Sequence, residues 1–343
     1  MKRFDPVKHG LDQEPPCGII LGEPDEVYHA RPNCLSSSKL KTFRKRRLEY
    51  HARHIEHSLP QEKRESFALT FGSAAHCMIL EGEEAFKARY HVVPAGAPER
   101  PARREADYQK ISKDLREKLD YWEPLLVEAE AGGYELINSD QEARARLLYH
   151  RCLNNRVISL MLLESVPEVT FRINLGWTYL QVRADGFVPT MSEELAECLK
   201  HACSHWSQAP RFYPGESAVL DLKTCASLHP EDIASFQRSY SKLDYWLQDA
   251  LYSETIPALT NKRVGAFVWG AIESTPPHDV APFMGTPEQS ALYVDELSRL
   301  LDSLESAHKN GLWHGFSQRL IQPIDLPAWG VRELERKKEL ACS

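Results

Sequence analysis

The stretch AVLDLKT, residues 218–224, places a carboxylate and an ammonium two residues apart at the end of an apolar run. In a strand, successive side chains alternate between faces, so Asp221 and Lys223 share one face and Leu222 takes the other. Such a pair makes either a plain salt bridge or half of a metal-dependent active site. A second stretch, QVRADGF, ends a strand-like run in Asp185, with Val182 and Ala184 facing the opposite way. If these two strands pair, two carboxylates and one lysine converge at the strand ends. Carboxylates that close repel each other unless positive charge sits between them. Mg2+ commonly binds through one or two carboxylates together with phosphate oxygens. A neighbouring lysine can then orient a metal-bound water or help to deprotonate it, which is equipment for phosphodiester hydrolysis.

Two further groups belong with these. In GSAAH, His76 follows a Gly-Ser pair that reads as a turn, which predicts His76 in the first turn of a helix. In YWLQDALY, Tyr245, Gln248 and Tyr252 are spaced three and four apart and so share one helical face. A lone histidine is also a common core or surface residue, and an aromatic stripe is also common core packing.

The elements that must position these residues follow from periodicity and capping signals. A helix is predicted over LSSSKLKTFRKRRLEYHARHI, capped by Ser37 or Ser38, and helices over 108–131 and 140–165. EVTFRINLGWTYLQVRADGFVP alternates like a β-hairpin turning at Leu175-Gly176. A long helix is predicted from His229 to Glu254, a buried strand over VGAFVWGAIE, and a helix that ends at Gly311.

Taken together, the order is Gly-Ser-x-x-His, then Asp, then Asp-x-Lys, then a helix carrying Gln-x-x-x-Tyr. This order resembles the PD-(D/E)XK nuclease superfamily in its RecB-like branch, and more closely the nuclease domain of exonuclease VIII (RecE-type) phage recombination exonucleases. LSSSKLKTFRKRRLEYHAR is similar to that family's opening helix. FGSAAHCMILEGEEAFKARYHVVP is similar to its histidine segment, and GLWHGFSQRLIQPIDLPAWG to its closing segment. The resemblance spans roughly residues 28–330.

The resemblance implies an α/β, restriction-endonuclease-like fold, with a central mixed β-sheet flanked by α-helices. It implies His76, Asp185, Asp221 and the Leu222 carbonyl as metal ligands, with Glu168 an added candidate, and Lys223 as the catalytic lysine. Gln248 and Tyr252 would support the lysine or the DNA strand. The implied activity is ATP-independent, Mg2+-dependent double-strand DNA exonuclease action from the 5′ end, leaving 3′ single strands for recombination. Mn2+ is expected to serve too, because an imidazole ligand suits softer metals. A homo-oligomer, a ring tetramer threaded by DNA, and a single-strand annealing partner are implied as well. An endonuclease, an exonuclease on single strands or RNA, and a non-catalytic DNA-end-binding module are the alternatives.

The chain departs from the family in one place. About thirty residues separate Asp185 from Asp221, where a short hairpin is usual. That insertion, residues 188–216, holds Cys198, His201, Cys203 and His205. Cys198, His201 and His205 lie at helical spacing and read as one half-buried face, with a zinc site as the other reading. The domain division expected is an irregular segment over 1–34, a nuclease domain over 35–330 and a polar tail over 331–343.

Composition bounds the rest. With 343 residues, 42% hydrophobic and 27% charged, the chain can bury a sizeable core. A net charge of −7 argues against indiscriminate nucleic-acid binding but leaves room for a local basic face. KLKTFRKRR supplies Lys39, Lys41, Arg44, Lys45, Arg46 and Arg47 as candidate DNA contacts, and residues 98–118 are a second basic segment. No apolar run is long enough for a membrane span, and the first eighteen residues lack a secretory apolar region, so a cytoplasmic location is expected. The eight cysteines are scattered without a C-x-x-C pair, as buried thiols would be. Only Cys342 follows Cys225, which disfavours the iron–sulfur branch of the superfamily. No phosphate-binding glycine loop of the P-loop or dinucleotide type is present.

Overall fold

The computed structural model describes residues 13–59, 67–94, 96–100, 112–229, 233–314, 331–333 and 336. Residues 101–111 of the second basic segment, 315–330 of the closing segment and most of the polar tail lie outside these residues.

The fold is α/β. Seven strands form one sheet in the order β1 (Gly18–Ile20), β5 (Val166–Asn174), β6 (Tyr179–Val188), β7 (Ser217–Cys225), β8 (Val264–Glu273), β9 (Val280–Phe283), with β2 (Cys34–Leu35) paired to β6. A separate parallel pair joins β3 (Tyr90–Val92) to β4 (Glu135–Ile137). The predicted hairpin is present: β5 and β6 run antiparallel through a turn in which the Leu175 N–H donates to the Thr178 carbonyl at 2.8 Å. β7 is antiparallel to β6 and parallel to β8, so the sheet is mixed. β7 from Ser217 to Leu222 and β8 from Ala266 to Glu273 are buried on both faces. That explains why both read as near-continuous apolar runs rather than as alternating ones.

Helices cover both faces. On one side lie α4 (Phe67–Leu80), α5 (Gly82–Arg89), α7 (Ser139–Asn154), α8 (Arg156–Glu164) and α9 (Glu193–Ala202), packed against Ala218, Leu220 and Leu222. On the other lie α2 (Ser37–Lys45), α3 (Arg47–His54), α10 (Ile233–Lys242), α11 (Trp246–Thr260) and α12 (Pro287–Asn310), packed against Val219, Phe267 and Trp269. Helix α6 (Lys113–Gly132) ends in Gly133 at φ 72°, the left-handed stop that favours glycine. Among the described residues no helix is long and apolar enough to cross a membrane.

Several predicted helices are broken, each at one identifiable residue. The helix expected over 35–55 divides at Arg46, which is extended (φ −152°, ψ 93°). The one expected from His229 divides at Asp244, a buried residue at φ 51° that accepts hydrogen bonds rather than continuing the helix. The one over 140–165 divides at Asn155, whose side chain accepts from the Ile158 N–H at 3.1 Å and so caps α8. The Asn155 amide also donates to the Val280 carbonyl at 3.2 Å, tying the cap to β9. Asn155→Ala removes both bonds and is expected to cost about 1–2 kcal/mol. Urea denaturation measures that loss, and a midpoint unchanged from wild type contradicts it.

Residues 13–35 hold short elements of their own. Besides β1 they hold helix α1 (Asp25–Ala30) and lead into β2. They are stitched to the sheet by fully buried Arg172, which donates to the Pro16 carbonyl at 3.0 Å and to Glu23 at 2.7 and 3.0 Å. The 188–216 insertion is closed at its base by a bond from the Met191 N–H to the Glu216 carbonyl at 2.7 Å, and α9 buries Leu195, Ala196 and Leu199. Within it Cys203 is buried and Cys198 half-buried, while His201 and His205 are exposed.

Candidate active site

The site is made by a divergence of strands. β6 and β7 pair only over Gly186–Val188 against Ala218–Leu220. Beyond that point β6 pairs with β2, at Tyr179 and Leu180, while β7 continues against β8 alone. The strand partners of β6 therefore change at this point. Asp185 and Asp221 stand at the fork. The ladder does not simply end there: the Leu222 N–H donates to Asp185 Oδ2 at 2.8 Å, so a carboxylate takes the place of a backbone carbonyl.

The local backbone is shaped for this. Gly186 follows Asp185, and a Cβ on it would lie 3.0 Å from Ser165 Oγ and 3.3 Å from Leu220 Cβ. On the neighbouring strand Glu168 is in the left-handed region at φ 52°, a conformation uncommon for a residue with a side chain. The alternation of β6 slips here too. Ala184 and Phe187, three apart, pack in the same apolar cluster.

Asp221 and Lys223 share a face, as the spacing predicts, and form an ion pair. The Asp221 side chain is 1% exposed. Its second oxygen accepts from Gln248 Nε2 at 3.0 Å. Burial lifts the Asp221 carboxyl above the usual carboxylate range against the pull of Lys223, and the charge on Asp185 adds to the lift. Burial alone would lower the Lys223 ammonium, but Asp221 and Asp185 outweigh it and hold the group protonated. Lys223 is therefore a cationic donor in this arrangement. Its Nζ lies 5.4 Å from the ring centroids of both Tyr245 and Trp269.

His76 comes from α4, which runs unbroken through Gly72 and Ser73, so His76 sits well inside the helix rather than in its first turn. The Gly-Ser pair misleads as a turn signal because glycine inside a helix is tolerated where packing holds it. His76 Nδ1 lies 3.8 Å from Asp185 Oδ2. Burial pushes the imidazole below its ordinary value, which favours the neutral ring with a free lone pair.

Glu168 lies on β5 near Asp185. Burial, reinforced by Asp185, pushes its carboxyl up to about 7, while Arg183 opposes this through a contact of 3.0 Å. Arg183 also pairs with Asp25 and lies 4.6 Å from the Tyr28 ring. Tyr252 donates its hydroxyl to the Arg183 carbonyl and so anchors β6 to α11. Two groupings result: Asp185, His76 and Leu222 on one side, and Asp221, Lys223 and Gln248 on the other. Among the described residues no set of three or more His, Cys, Asp or Glu is drawn close enough together to enclose a metal ion.

Sequence reasoning missed some partners. Trp269 lies opposite Asp221 in the β7–β8 register and stacks on Tyr245 with centroids 5.2 Å apart. A tryptophan amid the small and aliphatic residues of VGAFVWGAIE was the available signal. Asp25, Tyr28 and Arg183 carried no motif. Of the predicted DNA contacts, Arg44, Lys45, Arg46 and Arg47 are exposed. Lys39 is turned inward, donating to the Cys34 carbonyl at 2.7 Å and the Arg31 carbonyl at 3.3 Å. Arg44 and Lys45 both reach Asp244, at 2.9 and 3.2 Å. In the second basic segment Lys113 and Lys118 pair along α6 with Glu117 and Asp114.

No family model matches the chain, and no curated protein matches it. Among solved structures, it is similar to a crystal structure from Eubacterium rectale named "putative exonuclease". The TM-score is 0.48 at 15% sequence identity, over 92% of this chain and 98% of that one.

Proposed function

We propose that the chain is a metal-dependent, ATP-independent double-strand DNA exonuclease of the PD-(D/E)XK superfamily, acting 5′→3′ and leaving 3′ single strands for recombination. The observation that carries this reading is the meeting of Asp185, Asp221 and Lys223 at the fork of β6 and β7, with Gln248 bound to Asp221. The order of elements agrees with the resemblance: helix α4 with His76, antiparallel β5, β6 and β7, helices α10 and α11, then parallel β8.

The side chains are of the types a hard divalent cation takes, although among the described residues they are not drawn together into a closed metal cage. Asp185 stands near both Glu168 and Asp221, and its charge raises the carboxyls of both. Carboxylate oxygens and the Leu222 carbonyl suit Mg2+, and the neutral His76 ring makes Mn2+ acceptable as well. When bound, the ion supplies a Lewis acid for the scissile phosphate and activates water. The remaining work falls to the chain. The Lys223 ammonium donates to the phosphate or to the attacking water and stabilises charge that develops in the transition state. Gln248 fixes the Asp221 carboxylate, Tyr252 fixes β6 at Arg183, and the rings of buried Trp269 and half-buried Tyr245 flank Lys223.

The exposed face with Arg44, Lys45, Arg46 and Arg47 is the proposed path for the DNA backbone. A homo-oligomer that rings the duplex and a single-strand annealing partner belong to the same proposal. Binding of duplex DNA is then expected to weaken steeply as salt rises, with a log–log slope of roughly −0.9 for each phosphate neutralised. Fluorescence anisotropy at several salt concentrations measures it, and an affinity independent of salt contradicts it. The substrate itself is tested with linear duplex labelled at one 5′ end, beside closed circular DNA, with Mg2+ and without ATP. Release of labelled mononucleotide from the linear form alone supports the reading. Cutting of the circle replaces it with an endonuclease, and binding without cutting in Mg2+ or Mn2+ replaces it with an end-binding module.

A further inference from the structure

Lys41, which sequence alone groups with the basic surface stretch, belongs to the catalytic cluster. It lies on α2, and its Nζ is 3.4 Å from Gln248 Oε1. It also stands 5.3 Å from the ring centroid of Tyr245, the same ring that flanks Lys223. Its neighbours Arg44, Lys45, Arg46 and Arg47 are exposed, whereas Lys41 is half-buried.

The chemistry of the three partners makes the arrangement directional. An ammonium only donates, a carboxylate only accepts, and a primary amide has one end of each kind. Gln248 lies between Lys41 and Asp221. With Lys41 in place, its carbonyl end must face the ammonium and its NH2 end must face Asp221 Oδ2, which it meets at 3.0 Å. Without Lys41 the Asp221 carboxylate still calls for the NH2 end, but the Gln248 side chain loses one of these two anchors and can swing away. The Asp221 carboxylate is buried, so the loss of one donor there is costly.

We propose that Lys41 is a positioning residue which, through Gln248, holds the Asp221 carboxylate in its working orientation; this rests on the nuclease reading above. It differs from the surface role of its neighbours, which meet the DNA backbone from outside. Groups that orient an active-site ligand from behind typically matter roughly tenfold to a hundredfold in activity.

The test is a kinetic cycle with Lys41→Met, Lys41→Arg, Gln248→Ala and the double variant Lys41→Met/Gln248→Ala on linear duplex DNA with Mg2+. Lys41→Met is expected to lower kcat by about tenfold or more with KM little changed. Lys41→Arg, which keeps a donor-only cation, is expected to recover most of the loss. The double variant is expected to be no slower than Gln248→Ala alone, because both changes break one chain of contacts. A raised KM with unchanged kcat makes Lys41 a phosphate contact and overturns the proposal, as do losses that multiply in the double variant. If wild type cuts no DNA, the nuclease reading falls by itself. The positioning role is then decided by the Gln248 side-chain amide signal in protein labelled with 15N-glutamine. A shift of that signal in Lys41→Met upholds the contact, and an unmoved signal overturns it.

Discussion

Asp221→Asn is expected to slow DNA hydrolysis by about a thousandfold or more, and Lys223→Met by a similar factor. Each factor of ten corresponds to about 1.4 kcal/mol of transition-state stabilisation, so the loss asked of either residue is roughly 4 kcal/mol. That is the scale of removing one preorganised electrostatic group from a site that excludes water. Asp221 is buried, bound by Gln248 and paired with Lys223, so its charge acts in a medium where it counts heavily. Asparagine keeps the shape and the acceptor oxygen but discards the charge. Methionine keeps the stem of Lys223 between Tyr245 and Trp269 but discards the donor. Single-turnover rates measure the effect, with circular dichroism confirming the fold. Activity within tenfold of wild type in either variant removes that residue from the chemistry.

The second large effect is on stability and lies away from the chemistry. Arg172 is 0% exposed and donates to Gln181 at 3.0 Å, to the Pro16 carbonyl and to both oxygens of Glu23. Glu23 also pairs with Arg31 at 3.2 Å, and Gln181 donates to the Tyr28 carbonyl at 3.0 Å. This network reinforces the strand pairing that joins residues 13–35 to β5 and β6. Arg172→Ala leaves a buried carboxylate short of its main partner and is expected to cost about 3–5 kcal/mol. Replacing both partners, as Arg172→Met with Glu23→Leu, is expected to recover part of that, since an apolar pair carries no uncompensated charge. Urea denaturation of the single and double variants measures both. A loss below about 1 kcal/mol for Arg172→Ala would place the pair with weak surface bridges.

The sequence was most legible where a pattern had one physical meaning. The D-x-K spacing put Asp221 and Lys223 on one face because strand geometry allows nothing else, and the β5–β6 hairpin followed from alternation around a glycine. The pairing of Asp221 with Lys223 was therefore readable in advance. What was not readable was anything set by long-range contact. Asp244 breaks a helix because Arg44 and Lys45, two hundred residues earlier, turn its carboxylate into an acceptor site. Lys39, Lys41 and Arg44 look alike in KLKTFRKRR, yet one is spent on backbone carbonyls, one reaches Gln248 and one caps the α10–α11 corner. The misplaced turn at Gly72-Ser73 has the same origin: helix α4 is held by packing on α7, and local glycine content did not decide it.

The most direct measurement is release of acid-soluble nucleotide from linear duplex DNA by chelator-treated protein as Mg2+ is added back, with Asp185→Asn run alongside. Activity that is absent without metal, returns with Mg2+ in wild type and does not return in Asp185→Asn is the expected result. Cleavage in the presence of chelator, equal activity in the variant, or no cleavage by wild type in Mg2+ or Mn2+ would each contradict a metal-dependent nuclease centre at the fork of β6 and β7.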